Sequence, residues 1–530
     1  MGISLSAIPG PGRVTPTEGA TAYLLVAYNA NYLWGPPGHI SRADSGQFVT
    51  TLNRHLDLME GLGQRADYFF TGLAAEKLAE WSPQTVTRLL NSAHGLNYHG
   101  ANRPPYPSLV DLVQGESWEE DVALVRTYEA EGCHPTTGEH VGGMAAWQVV
   151  FGQNPFSTGR FFQASILAVN KELGARMGVG LEGNTGASRN DAWFLGVLNR
   201  PVSLALGPSP LVDAALNGRI EEYLAHVRAQ LSGLNGPMPV AALLVHDHDF
   251  FKHPPDDREK IWALYEEALL LARNLGLQFV TMHDLYTAVQ NGPGPAISRD
   301  ALEEICYTLS QTMGTNGYPP EYVTADSIPY SLTESFEALA GALSVFRQTG
   351  SLPDSLCTHD LLGPTTHYTG SVSPGTLSAV DVLEAAAEVS DLLSDRLPSS
   401  VAVGGQTVNP AEFLDLMAQE YVALTEGGPA PVALRSVDLL PQAVTENDRA
   451  DLLTKLQFWT YKPAIFAALG LKGDVNGDGE IDVLDVVFTV DIILGLYEPD
   501  KREFWAADFD GDGEVNVLDV VLIVNHIIGG

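Results

Sequence analysis

Cysteine is scarce. The 530 residues hold three, Cys133, Cys306 and Cys357, with no CxxC pair. That excludes a disulfide framework and a zinc ribbon. A Cys306–Cys357 bridge and free buried thiols both fit the count. Basic residues are scarce too: 29 Lys and Arg stand against 65 Asp and Glu, a net charge of −36. No basic stripe is available to neutralise phosphates, which argues against nucleic acid as a partner. No apolar run approaches the ~18 residues of a membrane span. The opening "MGISLSAIPGPGRVTPTEG" lacks a basic start and an unbroken apolar stretch, so it does not read as a signal peptide. Its first six residues fit the myristoylation pattern, which short stretches meet by chance. The expectation is a missing or trimmed leader, with 1–20 as an extension. The length predicts several domains, and the acidity suits a secreted protein in a calcium-bearing medium.

The most informative feature is a sentence written twice. "GDVNGDGEIDVLDVVFTVDIILG" starts at Gly473 and "ADFDGDGEVNVLDVVLIVNHIIG" at Ala507. In the first copy Asp474, Asn476, Asp478, Glu480, Asp482 and Asp485 occupy loop positions 1, 3, 5, 7, 9 and 12. In the second these are Asp508, Asp510, Asp512, Glu514, Asn516 and Asp519. Alternate oxygens turned inward, with Gly479 or Gly513 at position 6 for the sharp turn, are the ligand spacing of a calcium loop. Glu480 and Glu514 contribute through the backbone carbonyl at position 7. The expectation is two Ca2+ sites. Each loop leads into one apolar helix, and position 12 is Asp rather than Glu. Two such loop–helix units resemble a type I dockerin, a small all-α, EF-hand-like plug over 471–530. The resemblance implies a cohesin module as partner. That family's partner contacts at loop positions 10 and 11 are often polar. Here they are Val483-Leu484 and Val517-Leu518. Either the cohesin is of a different class, or this face packs on the protein's own body. Chelation is expected to unfold 471–530 and leave the front domain folded.

The first half alternates strands and helices. "AYLLVAYNANYLW", "RADYFFTG", "VAALLVHDHDFF" and "LQFVTMHDL" read as strands, and "FVTTLNRHLDLMEGLG", "SPQTVTRLLNSAHG" and "REKIWALYEEALLLARNLG" as helices. This predicts an α/β domain over 21–295, with a parallel sheet or barrel. Chemistry then belongs at the C-terminal strand ends, where "YNAN", "NYHGANRPPY" and "HDHD" fall. The texture of Leu58–Arg103 and Val240–Val289 resembles the polysaccharide deacetylase (NodB-homology) family, which implies a distorted β/α barrel; 104–239 matches it poorly. The resemblance implies a base Asp and a metal Asp after the first strand, where this chain has Asn29-Ala30, with Asn31 after it, and neither carboxylate. It implies a His-x-x-x-His metal pair, where His99 is followed by Arg103. It implies a general-acid His at a late strand end, which His246 matches. Asn cannot act as a general base, and Arg offers a metal no lone pair. Catalytic candidates are His246, Asp247 and His99; substrate-binding candidates are Asn29, Asn31, Arg103 and Tyr98. A site rebuilt from His94, His134, His140, Glu182, Asp247 or His248 is the alternative to a non-catalytic domain, and a divalent metal in this domain stays open. On a strand, His246 and His248 would share one face.

A second duplication lies in the middle, at 302–343 and 383–424. Val323/Val401, Ser331/Asn409, Glu334/Glu412 and Ala340/Ala418 fall in step. Each unit reads helix, extended turn, helix, with Ser331 and Asn409 as helix caps. The pattern resembles the pseudomurein-binding repeat, which implies glycan binding; a structural spacer is the other reading. The units are placed at 296–350 and at 381–470 with its connector, separated by a linker loop over 351–380. His359, Asp360 and His367 are read as loop polar groups.

The chain is thus expected to be a multidomain extracellular or cell-surface protein, associated with polysaccharide or cell-wall glycan and attached to a cohesin. Two alternatives stand beside a degenerate, glycan-binding front domain. One is an active metal-dependent carbohydrate esterase; the other is a non-enzymatic calcium-dependent assembly protein.

Overall fold

The computed structural model describes residues 22–30, 42–100, 118–159, 164–180, 192–194, 196–201, 204–234, 238–289, 296–364, 372–442, 458–465, 471–478, 480–499, 501–510 and 514–529. The front domain is built on strands β1 (Tyr23–Ala30), β2 (Asp67–Phe70), β3 (Gly95–His99), β4 (Ser157–Gly159), β5 (Met177–Gly180), β6 (Ala192–Phe194), β7 (Val197–Pro201), β8 (Leu204–Leu206), β9 (Val240–His246) and β10 (Gln278–Val280). Their spatial order is β6-β7-β5-β4-β3-β2-β1-β9-β8, and β10 also pairs with β1. All these pairings are parallel except β6 with β7. β10 takes Tyr23–Leu25 of β1, and β2 takes Ala27–Ala30. Among the described residues the sheet therefore curls without closing into a ring, an open version of the expected barrel.

Every residue of β1 is buried, as befits a central parallel strand covered on both faces. The pleat sorts its side chains. Leu24, Val26, Tyr28 and Ala30 pack outward with Phe48, Leu52 and Leu56 of helix Arg42–Gly61. Tyr23, Leu25 and Ala27 face an inner core shared with Phe69, Met177, Leu198, Val240, Leu244 and Val280.

The middle of the chain forms two like units. Helix Arg299–Asn316, a hairpin pairing Val323–Ala325 with Ile328–Tyr330, and helix Leu332–Thr349 make the first. Helix Ala379–Leu392, a hairpin pairing Val401–Val403 with Gln406–Val408, and helix Pro410–Glu426 make the second. The hairpins and second caps lie at a constant offset of 78 residues, Val323 to Val401 and Ser331 to Asn409. Ser331 with Glu334, and Asn409 with Glu412, each close a capping box. The two units share one core. The expected 351–380 linker needs correction. Ser355–Leu356 pairs with Ile297–Ser298, and Gly375–Leu377 pairs with Val432–Leu434. Each unit is thus tied shut by residues on either side of its helices, and much of the "linker" belongs to them. The Cys306–Cys357 bridge is absent: all three cysteines are free, and only Cys306 is buried. His359 pairs with Glu337 at 2.6 Å and Asp360 with Lys171 at 2.8 Å. His367 lies outside the described residues.

Two further joints bind the parts together. The short strand Lys462–Pro463 pairs antiparallel with β6, at the edge of the front sheet. There the Lys462 ammonium donates to Glu334 Oε1 at 2.5 Å, and both residues are buried. The second joint ties the tail to the front domain. Its helices Val483–Ile493, Lys501–Ala507 and Val517–Gly529 surround Val475, Trp505 and Ile523. These three belong to the inner core of the front domain, with Leu25 and Val280. The tail is seated on the front sheet because Trp505, Ala506 and Ala507 complete that core.

Candidate functional sites

The strand registers assemble one rim. Asn29 of β1 sits beside His246 of β9 and Phe69 of β2, and Phe69 sits beside Asn97 of β3. Counting by twos from the inner-core residues Ala27, Leu244 and Phe69 puts Asn29, His246 and His99 on the inner face at the C-terminal strand ends. Asn29 is 3 % exposed, and its Oδ1 has no hydrogen-bond partner among the described residues. His99 Nδ1 contacts the Gly100 carbonyl at 2.9 Å.

Tyr98 does not join this rim. It lies one residue out of step, in the outer core, and its hydroxyl donates to Glu129 Oε2 at 2.5 Å. Burial pushes the Glu129 carboxyl up to about 7, against the pull of that bond. The proposed substrate contact at Tyr98 is therefore withdrawn: the strand alternation turns it away. His94 lies before β3, at the opposite end of the sheet, accepting from Ala66 N–H at 3.2 Å. His134 accepts the Thr136 and Thr137 amides of its own turn, and exposed His140 pairs with Glu76 at 2.8 Å. None of the three is placed for a rebuilt rim site. Asn31, Arg103 and Glu182 lie outside the described residues.

"HDHD" is not all strand. β9 ends at His246, and Asp247–Phe251 turns into a short helix. The two imidazoles still meet, stacked with centroids 4.9 Å apart. Asp249 Oδ2 lies 3.0 Å from His246 Nδ1 and accepts the His246 amide at 2.9 Å. Asp249 Oδ1 lies 3.8 Å from His248 Nε2. Asp247, fully buried, places Oδ1 3.3 Å from His248 Nδ1 and accepts the His248 amide at 2.7 Å. Burial works against the Asp249 charge, but the bond to His246 and the two imidazoles hold its carboxyl below the usual range.

The deacetylase resemblance implies a metal held by one carboxylate and two imidazoles. Of the positions that resemblance assigns to the metal, the described residues hold His99 alone, and Asn29, a neutral amide with an orphaned oxygen, stands where the base carboxylate should be.

The acidic loops are a different case. Asp474 and Asp485 of the first, and Asp508 and Asp519 of the second, are buried carboxylates. Asp485 Oδ1 accepts the Val475 amide at 2.7 Å and the Asn476 amide at 3.0 Å; its Oδ2 accepts from Asp482 N–H at 2.8 Å. Asp474 Oδ1 accepts from Gly477 and Asp478. Gly477 has φ +78°, a backbone region that side chains rarely enter. In the second loop the carboxylates of Asp508, Asp510 and Asp519 converge within 4.8 Å. Glu480 and Glu514 are exposed, which suits a carbonyl-only role. Clustered anions buried this way call for a cation, and all-oxygen donors fit calcium. Asp512 lies outside the described residues. Residues 472–528 match the type I dockerin domain.

On the dockerin, Val483, Leu484, Val517 and Leu518 are 64, 51, 66 and 51 % exposed. The opposite side, with Trp505 and Ile523, is buried on the front domain. Of the two readings left open for positions 10 and 11, packing on the protein's own body is therefore the wrong one. No curated protein matches the chain. Among solved structures, a family 4 carbohydrate esterase from Streptomyces lividans is similar at 14 % identity and TM-score 0.26, over 50 % of this chain and 94 % of that one. The Xyl-CE4 domain of a multidomain xylanase from the Trinervitermes trinervoides hindgut metagenome is similar at 13 % identity and TM-score 0.27, over 50 % and 90 %. A GH57-type branching enzyme from Pyrococcus horikoshii is similar at 10 % identity and TM-score 0.35, over 51 % and 71 %.

Sequence reasoning missed the joint that carries the dockerin. Trp505 Nε1 donates to Asp284 Oδ1 at 3.0 Å, and Arg65 grips the same carboxylate at 2.8 Å. The available signal was an aromatic pair, "EFWAAD", just ahead of an acidic loop.

Proposed function

We propose that this protein is a component of a calcium-dependent extracellular assembly. Its dockerin engages a cohesin-type module, and its front domain presents a polysaccharide-directed rim. One observation carries the reading: the apolar pairs at positions 10 and 11 of both loops face solvent, while Val475, Trp505 and Ile523 of the same domain are buried against the front domain. Exposed apolar patches of this kind mark partner surfaces. The partner is accordingly a cohesin with an apolar rather than a hydroxyl-rich recognition face. With an amide in place of the base carboxylate, the rim is better suited to binding a glycan than to the deacetylase mechanism. The like helical units would add glycan contacts.

The test is calorimetric titration of the full chain with cohesin modules of several classes, in calcium and in chelator. Calcium-dependent binding to at least one apolar-faced module supports the proposal. No binding to any module in calcium sinks it. A second reading, an esterase with a rebuilt site, draws on His246 at the strand end. Acetate release from acetylated glycans would favour it over binding alone.

A further inference from the structure

We propose that His246, His248 and Asp249 form a binding site for a zinc-class divalent cation, distinct from the calcium loops and from the metal set the deacetylase resemblance implies. The inference does not rest on the cohesin reading. Four observations carry it.

The first is the donor set. Two imidazoles and one carboxylate, with ligand atoms within 4.8 Å of one another, converge in a largely buried place. Nitrogen donors suit zinc, copper or nickel, whereas calcium takes oxygen.

The second is spacing. Zinc bonds of about 2.0–2.1 Å in a tetrahedron leave ligand atoms roughly 3.3 Å apart. Asp249 Oδ2 lies 3.0 Å from His246 Nδ1 and Oδ1 3.8 Å from His248 Nε2, so the carboxylate spans the two imidazoles. With one donor atom of each residue already within 4.8 Å of the others, side-chain rotation is enough to close the set around an ion.

The third is the outer support. A ligating imidazole commonly gives its other N–H to a carboxylate, which fixes the tautomer and turns the lone pair toward the metal. Asp247 occupies that position for His248, with Oδ1 at 3.3 Å from Nδ1. It is immobilised by burial and by the His248 amide. The backbone holds Asp249 in turn, through the His246 amide.

The fourth lies across the strand pair. Asn29 is in register with His246 on the same inner face, 3 % exposed, with an Oδ1 that no described residue satisfies. A buried amide oxygen without a donor is costly. A cation, or a water bound to one, would satisfy it. Lys252 reaches within 3.7 Å of Asp249 Oδ1, but its side chain is 46 % exposed and free to move into solvent.

The test uses the full chain, stripped of metal, reloaded with calcium and titrated with zinc and with cobalt(II) as a spectroscopic probe. The expected result is about one zinc bound beyond the calcium, with a cobalt spectrum typical of mixed nitrogen and oxygen ligands. His246→Ala and His248→Ala should each abolish it. Asp247→Asn should weaken it about 10- to 100-fold, and His140→Ala should leave it unchanged. If an alanine variant fails to fold, His248→Gln decides in its place. No zinc beyond background would overturn the site. So would zinc binding that survives both histidine substitutions.

Discussion

Trp505 and Asp284 are hydrogen-bonded at 3.0 Å across the seam between the dockerin and the front domain. Arg65, just before β2, holds the other Asp284 oxygen at 2.8 Å. Lys472 stacks on the Trp505 ring at 4.9 Å and donates to the carbonyls of Trp505 and Asp508, the latter being position 1 of the second calcium loop. The ion site, the indole and the front sheet are thus three consecutive links. Trp505→Ala should destabilise the whole chain by about 3–5 kcal/mol, the usual cost of deleting a buried aromatic ring. Trp505→Phe keeps most of the ring and should cost less, about 1 kcal/mol, through the lost indole hydrogen bond to Asp284 Oδ1, an oxygen that Arg65 still reaches at 3.3 Å. Urea unfolding followed by circular dichroism measures both.

The apolar recognition pairs should behave in the opposite way. Val483→Asp with Val517→Asp changes two exposed side chains, so stability should move by no more than about 0.5 kcal/mol. Cohesin binding should be lost. A parallel fall in thermal stability would show that these residues pack on the body after all.

Buried carboxylates set the pH dependence, and they pull in opposite directions. Burial raises Asp67 to about 7, although Asn97 at 2.5 Å and the Met282 amide oppose the shift. A raised carboxyl pKa means the folded chain holds a proton that the unfolded chain has released. Its contribution therefore falls as pH rises from about 4 to about 7. Asp67→Asn should flatten that fall in a series of urea melts. Asp284 is the reverse: burial opposes its charge, but Arg65 and Lys472 prevail and hold it down to about 2. The stability it supplies is present above the usual carboxyl range and is lost as pH drops toward 2.

The two capping boxes allow an internal comparison. Ser331→Ala should cost about 1 kcal/mol. Asn409→Ala should cost more, because Asn409 Nδ2 also donates to the Val437 carbonyl at 2.8 Å. Equal losses in urea melts would contradict the extra role.

Much of this was legible in the chain, and for local reasons. The calcium loops declare themselves through fixed spacing, because oxygen ligands and a tight turn leave little latitude. β1, β2, β9 and the caps at Ser331 and Asn409 follow from apolar runs and short-range hydrogen bonds. What stayed hidden depends on partners far away in sequence. Tyr98 looked like a rim residue until the registers turned it outward onto Glu129. His248 looked like a strand residue until the helix began at Asp247. The tail looked independent because nothing in "EFWAAD" names Asp284, more than two hundred residues earlier. The strands that tie off each helical unit are two or three residues long, too short to show a period.

The central claim is that the dockerin and the front domain share one calcium-dependent core. Hydrogen exchange of the full chain, with calcium and with excess chelator, tests it most directly. The prediction is that chelation raises exchange in 471–529 and also in helix Met282–Thr287 and β10, which border the seam. Faster exchange confined to 471–529, with 278–287 unchanged, would mean that the dockerin is an independent plug and the shared core is wrong.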